Sequence, residues 1–124
     1  MSDDIEAKLA QLKAEFIERS VGRAARVLEN LDRLDADGGD KDAETDLKDV
    51  VHKLSGGGGT FGFPLVSRLA GDMELLFDGG NRDWTRFRRL ADALRAVVEA
   101  GGVLPPGREA ALLKELTGAL APTP

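Results

Sequence analysis

The 124-residue sequence contains no cysteine. That excludes a disulfide scaffold and any Cys-ligated zinc or iron–sulfur site. A single histidine, His52, removes multi-histidine metal sites as well, and no metal site is expected. Tyrosine is absent, and the aromatics are one Trp and five Phe. No apolar run approaches the roughly 18 residues a membrane-spanning helix needs, so no membrane insertion is expected. The polar, acidic start lacks the apolar stretch of a signal peptide, which points to a cytoplasmic protein. Basic charge is in short supply: the net charge is −5, and residues 1–49 carry 14 acidic and 8 basic side chains. Such a chain is a poor nucleic-acid ligand by bulk electrostatics. Arg82, Arg86, Arg88, Arg89 and Arg95 form a local basic patch, read first as a solvated helix face.

What is present is helical periodicity. Ile5, Leu9, Leu12 and Phe16 recur at helix spacing. Ile17, Val21, Ala24, Leu28 and Leu31 continue it with a phase shift. Residues 3–35 therefore form one long helix or two, broken near Ser20–Gly22. The Gly-containing stretch 35–40 is a loop. A second stripe runs through Leu47, Val50, Val51, Leu54, Gly58 and Phe61. Pro64 opens a third helix, whose stripe is Leu65, Val66, Leu69, Met73, Leu76 and Phe77, stopped at Gly79-Gly80. Asn81 or Asp83 caps a fourth, carrying Trp84, Phe87, Leu90, Ala91, Leu94, Val97 and Val98 and stopped at Gly101-Gly102. After Pro105-Pro106 a last helix carries Ala110, Leu113, Leu116 and Leu120. Short loops between amphipathic helices predict an all-α, antiparallel up-and-down four-helix bundle, with additional helical segments at both termini. One domain over 1–120 is expected, with its core at about 14–100 and a frayed tail at 121–124.

The unusual segment is His52-Lys-Leu-Ser-Gly-Gly-Gly-Gly-Thr-Phe-Gly62. Four consecutive glycines suggest a flexible linker, since each costs roughly 0.8–1 kcal/mol against Ala inside a helix. The apolar stripe nevertheless continues to Phe61. A phosphate-binding P-loop fails for want of Gly-Lys-Ser/Thr, and a dinucleotide fingerprint fails for want of a preceding strand. On a helical wheel His52 falls about 150° from the centre of the apolar stripe, so the imidazole points outward. Lys48, Ser55, Gly56 and Gly59 flank it on the exposed side. Glycines there leave the ring open to the backbone of another protein, a reason to tolerate helix-weakening residues. Neutral imidazole is a nucleophile near pH 7 and a competent phosphoryl acceptor.

His52, Leu54, Gly56, the small residues Gly57 to Gly59, and Gly62 together resemble the signature of the histidine phosphotransfer (HPt) family. Gly-Gly-Thr-Phe-Gly-Phe, with Met73-Glu74-Leu75-Leu76 after it, is most similar to the phosphoacceptor domains of CheA-type chemotaxis kinases. The resemblance implies a four-helix bundle in which His52 accepts phosphate on Nε2. Glu74 would hold Nδ1–H and orient the ring. The family often has Lys three residues after the histidine. Ser55 stands there instead, leaving Lys48 and Lys53 as the available cations. By helix geometry Lys48 shares the face of His52, whereas Lys53 is turned about 100° away.

The resemblance further implies a bacterial two-component phosphorelay in which phosphoryl passes between a receiver-domain aspartate and His52. The partners would be response-regulator receiver domains and a histidine kinase, with no cofactor and no ATP-dependent kinase activity of its own. A monomeric, free-standing shuttle is the expectation. The alternatives are the N-terminal phosphoacceptor domain of a CheA-type kinase and a docking module without chemistry. A hydrolytic or metal enzyme is disfavoured by one His, no Cys and no clear nucleophile.

Overall fold

Each helix begins and ends where local chemistry requires it. The structure, a computed structural model, describes the backbone of residues 2–120 and the side chains of residues 3–116. The expected frayed tail and the side chain of Leu120 lie outside the described residues. The described helices are α1 (Ser2–Ala36), α2 (Lys41–Thr60), α3 (Pro64–Asp78), α4 (Trp84–Glu99) and α5 (Pro106–Leu120). Asp40 caps α2 by accepting from the backbone N–H of Ala43 at 3.0 Å. Of the two cap candidates for α4, Asp83 takes the role, accepting from the N–H of Thr85 at 3.1 Å. Asn81 instead accepts from the N–H of Asp83.

Three helices stop in the same way. Gly62, Gly80 and Gly101 have φ of +81°, +76° and +89°. The residue after each donates back to the carbonyl five positions earlier, as in Phe63 N–H to Gly58 O at 2.7 Å. This is the Schellman arrangement, which needs a left-handed residue that only Gly adopts without strain.

The first four helices pack cyclically: α1 on α2, α2 on α3, α3 on α4 and α4 on α1, with α5 against α4. Pairs across the seams fix an antiparallel order. The start of α2 meets the end of α1, where Asp46 accepts from Asn30 at 2.6 Å and from Arg26. The start of α4 meets the end of α1, where Arg88 reaches Asp32 and Asp35 at 2.7 and 2.8 Å. One hydrophobic core runs through the bundle, from Phe16 and Val27 to Phe87, Leu94 and Val97. Phe16, Phe61 and Phe63 stack at one end, and Phe77, Trp84 and Phe87 cluster toward the other.

α1 is one continuous helix, not two. Ser20 lies in its interior because its hydroxyl donates to the Phe16 carbonyl at 2.7 Å, so its burial leaves no polar group unpaired. The buried face of α1 differs from the expected stripe. It runs Phe16, Ser20, Ala24, Val27, Leu31, Leu34, whereas Val21 is exposed and Leu28 only half-buried. Ile5, Leu9 and Leu12 are exposed as well. On α5, Leu116 is buried and Ala110 exposed. Much of the arginine patch is neutralised: Arg82 pairs with Glu44, Arg86 with Asp83, Arg88 with two aspartates and Arg95 with Glu99.

Candidate functional site

α2 buries Leu47, Val50, Val51 and Leu54, which turns His52 outward. Its side chain is 79% exposed. The neighbouring helix α3 buries Leu69, Met73 and Phe77, and the same rotation brings Glu74 to the α2–α3 seam. His52 Nδ1 and Glu74 Oε2 are 3.0 Å apart. A carboxylate oxygen only accepts, so Nδ1–H donates, and in the neutral ring Nε2 then carries the lone pair. An imidazole held in this tautomer has one free nucleophilic nitrogen and a carboxylate placed to balance charge gained by the ring.

The approach of α3 to α2 rests on the glycine run. A Cβ on Gly58 would lie 2.7 Å from Ser67 N and 3.1 Å from Ser67 Cα. A Cβ on Gly57 would lie 2.3 Å from Phe16 Cε2. These two glycines let α2 lie directly against its neighbours. The Ser67 hydroxyl then donates to the Ser55 carbonyl at 2.9 Å, tying the helices one turn from His52. Gly56 and Gly59 are different. Both are exposed; a Cβ would meet nothing within 4 Å at Gly56 and only Ser67 Oγ, at 3.7 Å, at Gly59. They follow His52 at positions +4 and +7, an open strip on its side of the helix.

The remaining expected residues divide. Lys48 lines the same shallow cleft as His52, about 230 Å³ in volume, with Glu74, Phe77 and Asp78. Its Nζ sits 5.4 Å from the centroid of the Phe77 ring and 3.7 Å from Glu44 Oε1. Lys53 is paired with Asp49 at 3.0 Å, on the edge of α2 that faces Arg26 and α1. It is not brought to the cleft. Ser55 is half-buried in the α2–α3 seam, its Oγ 3.7 Å from where a Cβ on Gly71 would stand.

Two residues lining the cleft, and a neighbour of Glu74 outside that lining, were not expected at the site from the sequence. Phe77 and Asp78 close its far side. Leu75, next to Glu74, is 68% exposed. The signals for Leu75 were its place off the apolar stripe of α3 and its membership of the Met73-Glu74-Leu75-Leu76 segment. Among the described residues no group of three or more His, Asp or Glu is placed to hold a metal ion, and no helix is long and apolar enough to cross a membrane.

No curated protein and no solved structure matches the chain. The family model of the Hpt domain matches residues 3–120. That span holds α2 to α5, all of α1 but its first residue, His52 and Glu74, and it is nearly the whole sequence. The chain therefore belongs to the Hpt domain family, the phosphotransfer modules of two-component signalling.

Proposed function

We propose that the protein is a phosphocarrier that exchanges a phosphoryl group between His52 and the aspartyl phosphate of a receiver domain. The 3.0 Å contact between Nδ1 of a largely exposed His52 and Glu74 carries this reading. Nε2 attacks the phosphorus of the acyl phosphate. The Nε2–P bond forms as the P–O bond to the receiver aspartate breaks, and that aspartate leaves as a carboxylate. The ring keeps its Nδ1 proton and becomes a phosphoimidazolium, whose positive charge Glu74 balances. The reverse step returns the phosphoryl group. Little covalent chemistry falls to the carrier, so its contribution is positioning and charge.

Lys48 supplies the cation nearest the phosphoryl oxygens, in place of the family's lysine three residues after the histidine. Ser55 offers a neutral hydrogen bond on the same flank. Lys53, committed to Asp49, serves at the rim of the encounter. Gly56 and Gly59 let the receiver's backbone come close, and Leu75 gives the docking face an apolar anchor beside Glu74. Such a face is small and its encounters transient.

The test is to mix the chain with phosphorylated receiver domains and look for an acid-labile, base-stable phosphate, with His52→Gln alongside. Labelling of the wild type alone supports the carrier. Receiver binding that persists in both proteins without labelling identifies a docking module. Labelling only by the ATP-binding domain of a CheA-type kinase identifies a kinase's phosphoacceptor domain.

A further inference from the structure

The first turns of α1 stand outside the bundle. α1 has 35 residues and α2 has 20. At 1.5 Å per residue these are about 52 and 30 Å long. Within α1 the first buried side chain is Phe16. Before it, Ile5, Leu9 and Leu12 are 71%, 46% and 44% exposed. A helix of about 12 residues is marginal in water on its own; here Lys13 Nζ lies near Gly62, but the apolar stripe is uncovered.

The stripe has a defined spacing. Ile5, Leu9, Leu12 and Phe16 are separated by four, three and four residues, the alternation of a coiled-coil seam. Glu6 and Lys13 flank one side of the seam, and Lys8 and Glu15 flank the other. Among the described residues, Glu6, Lys8 and Lys13 have no ion-pair partner in their own chain, and Glu15 accepts one hydrogen bond, from Gln11 at 3.3 Å. Charge decides how two such helices can meet. In an antiparallel pair with Leu9 facing Leu12, flanking positions of the same kind oppose one another. Glu6 then faces Lys13 of the second copy, and Lys8 faces Glu15 of the second copy. Twofold symmetry repeats both, giving four contacts, all of opposite sign. In a parallel pair Lys8 would face Lys13 of the second copy twice, with like charge.

We propose that residues 5–15 form a self-complementary surface through which two copies of this chain associate by an antiparallel helix pair. In each copy Ile5 then runs toward the Phe16 turn of the other, at the bundle end where Phe61 is only half-buried. Three apolar side chains per copy fall well short of a standard interface, so the dimer is weak, with a dissociation constant on the order of 10–100 μM. None of the residues around His52 takes part, so each copy keeps its phosphoacceptor open.

Sedimentation equilibrium from about 1 μM to 1 mM at low salt tests this. The wild type should pass from monomer to dimer within that range, and added salt should shift the transition to higher concentration. Lys8→Glu with Lys13→Glu makes every flank acidic, and Glu6→Lys with Glu15→Lys makes every flank basic. Each double variant alone should dimerise at least tenfold more weakly. An equal mixture of the two should restore association to at least wild-type strength. Circular dichroism on each variant separates this from unfolding. In the cysteine-free chain, Leu9→Cys mixed with Leu12→Cys should form a mixed disulfide in preference to either symmetric one. A wild type that stays monomeric to 1 mM overturns the proposal. So does a dimer indifferent to charge reversal, or one that cross-links through Leu9→Cys alone.

Discussion

Alanine at each of the four consecutive glycines should give opposite results within a single helical turn. In a helix interior Ala is favoured over Gly by about 0.8–1 kcal/mol. At Gly56 nothing stands within 4 Å of the new methyl, and at Gly59 only Ser67 Oγ at an ordinary 3.7 Å. Gly56→Ala should therefore stabilise the protein by about 0.5–1 kcal/mol, and Gly59→Ala by somewhat less, since it lies in the frayed last turn. Gly58→Ala places its methyl 2.7 Å from Ser67 N and 3.2 Å from Phe63 O. Those are backbone atoms of the first turn of α3, held by Phe63 N–H to Gly58 O at 2.7 Å and Ser67 N–H to Phe63 O at 3.1 Å. They cannot yield without moving the helix. Overpacking of this kind costs typically 1–3 kcal/mol. Against the propensity gain, Gly58→Ala should be destabilising by up to about 2 kcal/mol, which separates it from Gly56→Ala by about 1–3 kcal/mol. Gly57→Ala meets the Phe16 ring, which is stacked on Phe61 and Phe63 at 5.2 and 5.8 Å and so has little freedom to turn. It should be destabilising as well, in the same range as Gly58→Ala. Urea unfolding followed by circular dichroism resolves these differences directly, and in thermal melts the extremes should lie about 10 °C apart. A Gly58→Ala protein as stable as Gly56→Ala would refute the reasoning, because the close approach of α2 and α3 would then not depend on a missing Cβ.

Other perturbations address the site and its supports. Glu74→Gln keeps a hydrogen-bond acceptor for Nδ1–H but removes the charge, and Glu74→Ala removes both. Transfer from a phosphorylated receiver should slow in that order, reaching roughly 10–100-fold for Ala, with nitrogen NMR of the His52 ring showing loss of the fixed tautomer; equal rates would exclude the orienting role. Lys48→Ala should slow transfer more than Lys53→Ala, because only Lys48 shares the cleft; indistinguishable rates in rapid-quench measurements would exclude it as the phosphate cation. Hydrogen bonding from Arg26 holds the Asp46 carboxyl below the usual carboxylate range. A depressed folded-state pKa stabilises above the unfolded value and is lost as pH falls through the folded one. Asp46→Asn should therefore cost about 1 kcal/mol or less at neutral pH, since Arg26 is largely exposed. The gap from wild type in urea midpoints should close toward pH 2–3; a gap constant with pH would show that the pair contributes by shape alone.

The outward direction of His52 was legible because it follows from one helix alone: four buried positions at 3.6-residue spacing leave one place for it. The stops of α3 and α4 were legible for the same reason, since Gly80 and Gly101 are needed locally; Gly62, which ends α2 in the same way, was read only as part of the family signature. Contacts between elements were harder to read. Glu74 came to His52 through resemblance, not through any pattern in residues 65–77. The buried face of α1 was obscured by polar residues on it: Ser20 is buried by bonding back to Phe16, and Asn30 by bonding to Asp46. A hydrophobic pattern skips both, so it drifts onto Val21 and Leu28 and misses Val27 and Leu34. Periodicity put Gly58 on the apolar stripe and Gly56 and Gly59 on the open side, but it cannot say which neighbour comes closest to a helix. Gly57 answers to Phe16, 41 positions earlier, and Gly58 to Ser67 on the next helix.

The division of that run also explains how His52 can be both exposed and well placed for the proposed transfer. An exposed histidine ordinarily samples several rotamers, and ordering it costs entropy at each encounter. Burial would fix the ring but hide Nε2 from a receiver. The bundle fixes it from one side only, through Glu74, and Glu74 reaches Nδ1 because Gly58 lets α3 lie against α2. The geometry on the buried side of α2 thus sets the geometry on its open side. This couples stability to transfer in a way the alanine series can expose. Gly58→Ala should both destabilise the fold and slow transfer, because pushing α3 outward lengthens the Nδ1 to Oε2 contact. Gly56→Ala and Gly59→Ala should stabilise the fold and still slow transfer, because their methyl groups would stand on the face proposed to meet the receiver's backbone. If either of the last two transfers as fast as wild type, the open strip beside His52 is not part of the docking face, and the glycine run is explained by packing at Gly57 and Gly58 alone.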